Sequence, residues 1–314
     1  MRTAALLLSL LLALPAAAQE RTLKFVLGYP PGASSDILTR LLAQKMGTSL
    51  GVPTIVENKA GAGGIVGTEA VKNAAPDGTT LLMSPLAPMV AFPHSHGALI
   101  RYDPFKDFVP VAHLTDFQIA LVVNADLPVK NVAEYVALVK KEPRAGDYAS
   151  AAAGSLPHYV GVMFAQAAGL SMTHVPYKGT APALQALAAG EIKAAVFVLS
   201  DALTLVHNGK GRLLAVAGSK RSPMAPETPT FKELGYPIEA AAWYALFAPA
   251  GTPQDLVDRY AKAAIEAMKS PDVSKRLEQI GLEPTGYGPA ELAKILRTDY
   301  YKWGSVIKAS GFKP

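Results

Sequence analysis

From Thr22 onward, short β-branched apolar runs alternate with longer stretches whose apolar positions recur every three or four residues. Residues 23–27 predict a buried strand ending in the loop 28–35. The segment 36–50 carries Ile37, Leu38, Leu41, Leu42, Met46 and Leu50 at a helical period. A strand over 54–57, a loop over 58–64, a helix over 66–73 and a strand over 80–83 follow. A second series begins near Phe117, with strands at 119–123, 147–149, 173–175, 194–199 and 213–217. Helices at 132–141, 157–168 and 182–189 alternate with them, and 231–234 reads as a short helix. After an extended run over 241–247 the pattern turns helical at 253–269, 271–280 and 289–310, with proline in first turns and Gly281 and Gly311 past last ones. Strand–loop–helix alternation specifies an α/β fold with a mainly parallel sheet, which binds ligands at the carboxyl ends of its strands.

At 314 residues the chain exceeds one ordinary domain, and 50% hydrophobic residues supply a core for two packed lobes. Cysteine is absent, which excludes disulfides, thiolate metal sites, cysteine catalysis and a lipid on an N-terminal cysteine. The formal net charge of +5 is spread out with no run of four basic residues, which argues against a nucleic-acid footprint. Arg2, an apolar run over 4–14 and Pro15-Ala16-Ala17-Ala18 describe a signal peptide cut after Ala18. The run is too short for a membrane span, which needs about 20 residues. The mature chain is therefore expected to be soluble and periplasmic.

Three loops carry the candidate chemistry: 29–36 (Tyr-Pro-Pro-Gly-Ala-Ser-Ser-Asp), 58–64 (Asn-Lys-Ala-Gly-Ala-Gly-Gly) and 150–155 (Ser-Ala-Ala-Ala-Gly-Ser). Each leads into a helix, with Ser34, Ser35 or Asp36 as the expected cap of the first. Small residues there bring free N–H groups and a helix dipole close to a ligand, which suits a carboxylate. On this basis Gly63→Val is expected to weaken binding far more than folding. The run 61–67 nearly makes a dinucleotide fingerprint, but Val66 replaces its third glycine and no acidic residue follows at the required distance. His94 and His96 fit no familiar metal spacing and read as a solvated loop; no metal and no cofactor are expected. No Gly-x-Ser-x-Gly elbow exists, and Ser155 with His158 reads as a capping serine and a binding histidine rather than a catalytic pair. Lys178, after Tyr177, either faces the crevice or points to water. Trp243 and Tyr244 are assigned to packing at the return to the first lobe.

In this order and spacing the motifs are similar to the Bug family, the extracytoplasmic solute receptors of tripartite tricarboxylate transporters. The matching runs are 29–32 with Asp36, 58–64, 75–81, Gly154-Ser155 with His158, 175–179, 231–237 and 248–253. The resemblance implies a two-lobed type II periplasmic binding protein fold with two crossing strands and a ligand cleft between the lobes. The expected division is 19–118 plus 244–314 for lobe 1 and 119–243 for an inserted lobe 2. It implies no enzyme activity, and ligand contacts at Tyr29, Ala33, Ser34, Asp36, Gly63, Gly64 and Ser84 in lobe 1. Ser150, Gly154, Ser155 and His158 follow in lobe 2, with Tyr177, Lys178 and Asp201 as further candidates. The implied partners of this monomer are a small carboxylated ligand and membrane transporter subunits, with a sensor kinase as the alternative to transport. Three positions depart from the family: Ala33 for a second glycine, Ala60 for proline, and Lys193 where aspartate is common, although Asp201 lies farther along and could still face the cleft.

Overall fold

The computed structural model describes residues 22–310, so the expected signal peptide at 1–18 lies outside the described residues. The chain begins β1 (Leu23–Leu27), α1 (Ser34–Leu50), β2 (Thr54–Asn58), α2 (Ile65–Lys72) and β3 (Thr80–Pro85). Short helices α3 (Leu86–Val90) and α4 (Phe92–Ser95) precede the long strand β4 (Phe108–Asn124). Then come α5 (Val132–Lys141), β5 (Tyr148–Ser150), α6 (Leu156–Ala168), β6 (His174–Pro176), α7 (Thr180–Ala188), β7 (Ala194–Val198), α8 (Leu199–His207) and β8 (Gly211–Val216). The chain continues through β9 (Ala241–Pro249), α9 (Gln254–Lys269), α10 (Pro271–Gln279), β10 (Glu283–Tyr287) and α11 (Pro289–Ser310).

Two sheets share β4. In the first, β2, β1 and β3 run parallel, β3 pairs antiparallel with β9, and β9 and β10 both pair antiparallel with the 108–118 part of β4. In the second, residues 119–124 of the same strand pair antiparallel with β7 and β8, while β5 lies parallel between β7 and β6. A second connection runs alongside: the Ala217 N–H donates to the Ile119 carbonyl, the Ala240 N–H donates to the Ala217 carbonyl, and β9 follows at once. In the parallel registers Leu27 lies opposite both Asn58 and Met83, so the loops after β1, β2 and β3 emerge at one edge. The same alignment of β5, β6 and β7 gathers the loops after Ser150, Pro176 and Val198. This is why segments far apart in sequence meet.

The C-terminal helices cover the first sheet. Helix α9 packs on α1, β4 and β10, and α11 lies across β4 and α3. In α9, Val257, Tyr260, Ala261, Ala264, Ala267 and Met268 are buried, a single stripe at three- and four-residue spacing. No described helix is long and apolar enough to cross a membrane.

Several sequence expectations are corrected here. β4 runs 17 residues, where only 119–123 was expected. Pro110 and His113 interrupt its pattern, and a register shift against β9 follows each of them. The apolar run after Ala194 divides at Leu199 into a strand and a helix, whose exposed side carries Thr204 and His207 while Ser200 and Asp201 are buried. Between the expected helices at 271–280 and 289–310 lies a strand that the pattern did not predict, β10, paired antiparallel with β4. Residues 231–235 form a turn rather than a helix, with the Tyr236 N–H on the Phe231 carbonyl.

Candidate ligand-binding site

The gathered loops enclose an inner pocket of about 70 Å³ and, beside it, an outer groove of about 590 Å³. Both take residues from each sheet: Tyr29, Pro30, Ala151 and Ala152 line the two alike. The inner pocket is bounded by the first turns of α1 (Ala33, Ser35), α3 (Leu86, Ala87), α6 (Ser155 to Pro157), α7 (Thr180, Ala181) and α8 (Asp201). Phe117, Val198, Ala242 and Tyr244 close its floor, with Phe117 stacked on Tyr244 at 4.5 Å between ring centroids. Positive helix ends converging on a small cavity favour an anion without any basic side chain.

The amides that the sequence offered as a free cradle are largely engaged within the protein. The Gly32 N–H donates to Asp36 Oδ2 (3.2 Å), the Ser34 N–H to Asp201 Oδ1 (3.3 Å), the Gly64 N–H to the Gly61 carbonyl (2.9 Å) and the Gly154 N–H to His158 Nδ1 (3.0 Å). Helix α1 begins at Ser34 with Ala33 as its cap residue, so no side chain of its own caps it. The expected Ser34, Ser35 or Asp36 cap is replaced by Asp201, which reaches across from α8.

Asp36 stands beside neither cavity. Its carboxylate joins the first two loops, accepting from Arg40 Nε (2.9 Å) and Asn58 Nδ2 (2.9 Å), while Asn58 Nδ2 also donates to the Tyr29 carbonyl (3.0 Å). Burial raises its pKa, but the hydrogen bonds from Arg40, Asn58 and Gly32 outweigh this and hold it below the usual carboxylate range. Asn58→Ala is expected to cost about 1–3 kcal/mol by leaving a buried carboxylate under-satisfied, read as a lowered urea midpoint at unchanged slope.

Tyr29 closes the wall between the cavities, its hydroxyl donating to the Gly63 carbonyl at 2.6 Å. Gly64 lies beneath that ring and lines neither cavity; a Cβ there would meet Tyr29 Cε2 at 3.0 Å. Gly63 lines the groove at φ 67°, but its missing Cβ points at Phe92 Cζ (2.8 Å) and at Ala152 Cβ (3.2 Å) of the opposite loop. A larger residue would displace a core ring and hold the two loops apart, so the expectation that Gly63→Val spares folding is corrected. Ser84 is buried behind the pocket, its hydroxyl on the Pro85 carbonyl (2.9 Å).

In the second set of loops Ser155 lines the inner pocket and caps α6, accepting the His158 N–H (3.4 Å). Ser150 sits below, bonded to the Ala152 carbonyl (3.0 Å) and to His174 Nε2 (2.7 Å). His158 stacks on His174 at 3.9 Å, and burial lowers it to about 4, so both rings are neutral at pH 7. Gly154 adopts φ 72° against the His96 ring. Tyr177 and Lys178 line the outer groove, so the choice left open for Lys178 falls on the crevice side. Asp201 lines the inner pocket, where burial pushes its pKa up to about 6 against the pull of the Ser34 amide. Lys193 bonds the Gly190 carbonyl (3.1 Å) at the other end of β7 from Val198, away from the cleft.

Sequence reasoning missed Tyr244, Phe117 and His96 as lining residues. For Tyr244 the sequence favours packing over stacking on a ligand; it is buried yet lines the pocket, with its hydroxyl 3.5 Å from Ser34 Oγ. His96 follows the helix α4 rather than a solvated loop and lines the groove, bonded through Nδ1 to Ser95 Oγ (2.8 Å). Among the described residues no group of three His, Cys, Asp or Glu is placed to hold a metal.

Two sheets joined by crossing strands, with a ligand-sized cleft between their loop edges, define the periplasmic binding protein class. The family model "Tripartite tricarboxylate transporter family receptor" matches residues 38–312. Protein BugT of Bordetella pertussis is 33% identical over 294 residues, covering 93% of this chain and 90% of that protein. The MatC protein of Rhodopseudomonas palustris, solved with bound malate, is 32% identical with a TM-score of 0.86, covering 91% of this chain and 99% of that one. Another R. palustris protein, solved with adipate, is 30% identical with a TM-score of 0.90, covering 95% and 99%. The chain belongs to the Bug-type receptors of the tripartite tricarboxylate transporter family.

Proposed function

We propose that this chain is an extracytoplasmic receptor that captures a small carboxylate and delivers it to a tripartite-type membrane transporter. In this reading residues 1–18 direct export to the periplasm and are removed. The segments 19–118 with 244–314 form one lobe and 119–243 the other, and they hinge about β4 and the 240–241 connection. Contacts from both lobes to one ligand favour the closed state, which the membrane partner recognises.

The observation that carries this reading is the convergence of the first turns of α1, α6, α7 and α8 on one small pocket between the two sheets. Relatives solved with malate and adipate support an acid as the ligand. A hydrolytic role is disfavoured by geometry: the Ser155 hydroxyl donates to the Ala152 carbonyl (2.8 Å), and His158 Nδ1 is held by the Gly154 amide.

A melting-shift screen tests the reading. An acid at a hundredfold over its Kd should stabilise the protein by about 3 kcal/mol, a shift of at least about 5 °C, saturably and without turnover. Stabilisation by neutral sugars or cations alone would overturn it.

A further inference from the structure

The inner pocket is electrically lopsided. Asp201 belongs to the first turn of α8 and also accepts the Ser34 N–H of α1, so a single carboxylate serves two of the helix ends at the wall. Helix α6 is capped by its own Ser155. Helix α7 starts from Gly179, which has no side chain to cap it, and Lys178 immediately precedes it on the groove wall. The single-turn helix α3 also lacks a side-chain cap, but α7 is the longer of the two uncapped helices, so the positive end of the space lies at α7 and the negative end at Asp201. Between them the wall is apolar, with Phe117, Leu86 and Val198 among its residues. Among the described residues lining this pocket none is Lys, Arg or His, so nothing there balances a second anion beside Asp201.

A ligand carboxylate placed against Asp201 would bring two like charges together where water is scarce, and one would have to be neutralised. A hydroxyl or amino group in the same place donates to a carboxylate already fixed by the Ser34 amide, whose own side-chain hydroxyl lies 3.5 Å from the Tyr244 hydroxyl. We propose that this receptor selects asymmetric acids: one carboxylate seated at the α7 end, a short apolar body, and at the far end a hydrogen-bond donor directed at Asp201. This rests on the carboxylate-receptor reading and narrows it to hydroxy or amino acids over symmetrical dicarboxylates. Discrimination arises as much from repulsion of the wrong end as from attraction of the right one.

The test compares acids of equal length by calorimetric titration at pH 7.5: 6-hydroxyhexanoate and 6-aminohexanoate against adipate and hexanoate, with the four-carbon set of 4-hydroxybutyrate, 4-aminobutyrate, succinate and butyrate beside it. At the better-fitting length a donor-bearing acid should bind at least tenfold more tightly than both its dicarboxylate and its plain counterpart. In Asp201→Asn, which keeps an acceptor for the Ser34 amide, the preference over the dicarboxylate should fall below threefold, through a gain by the dicarboxylate. The wild-type comparison decides the matter by itself if that variant fails to fold. Adipate or succinate binding the wild type as tightly as its donor-bearing analogue would overturn the selection by Asp201 and leave the carboxylate receptor standing. No binding by any acid, here or in the broader screen, would remove both.

Discussion

Gly67→Ala should destabilise the protein by about 1–2 kcal/mol, the reverse of its usual effect inside a helix. Alanine normally gains about 1 kcal/mol over glycine there. At this position an added Cβ would lie 2.6 Å from Gly28 Cα and 2.9 Å from Gly28 N, and neither atom can rotate away. Overpacking of that kind costs about 1–3 kcal/mol and outweighs the propensity gain. Gly67→Val should cost about 3 kcal/mol or more. Gly28 carries the reciprocal constraint, since its own Cβ would meet Gly64 Cα and the Gly64 carbonyl oxygen at 2.7 Å. The three glycines let α2 rest directly on the loop after β1, which positions Tyr29 between the two cavities. Urea unfolding of Gly67→Ala gives the sign; an unchanged or raised midpoint would show that the loop yields freely.

Acidification should destabilise the protein well before its surface carboxylates titrate. His113 and His158 are each buried and held near 4, while in the unfolded chain they protonate around 6.5. Their folded pKa is depressed, so the stability they contribute is present above about 6.5 and is lost as pH falls toward about 4. By pH 5 each costs about 2 kcal/mol, and His174, lowered by burial and by its stacked neighbour, adds in the same direction. Asp201 acts oppositely: raised to about 6, it takes up a proton in the folded state first and returns about 1 kcal/mol by pH 5. Asp116, also raised to about 6 by burial and by Glu283 and Asp299, adds a smaller term of that sign because it is half-exposed. The rings win. The melting temperature should fall from pH 7.5 to pH 5, and His158→Asn, which offers an oxygen to the Gly154 amide, should flatten the slope. A melting temperature at pH 5 equal to or above that at pH 7.5 would contradict the assignment.

Much of the architecture was legible because local periodicity and loop chemistry agree. The strand at 23–27, the apolar stripe of α1 and the proline-started C-terminal helices fall where their patterns put them. What escaped was set by partners distant in sequence. The 108–118 part of β4 looks irregular because its polar residues are accommodated by β9 and β10 through register shifts. Tyr244 looked like packing because a buried aromatic on a strand has the same local signature whether it faces a core or a pocket.

The cleft shows the same division. Small residues, helix starts and the acid–amide pattern of the loops are written in the chain, and they point to an anion as the ligand of these helix ends. Which ends remain available was decided only in three dimensions. Asp201 lies 167 positions from Ser34, yet it occupies the end of α1; Gly63 is required by Phe92 and Ala152 as well as by any ligand. Spacing along a chain fixes a residue's backbone and its immediate neighbours. Whether its donors point at the protein or at an empty space depends on contacts that exist only once both sheets have folded.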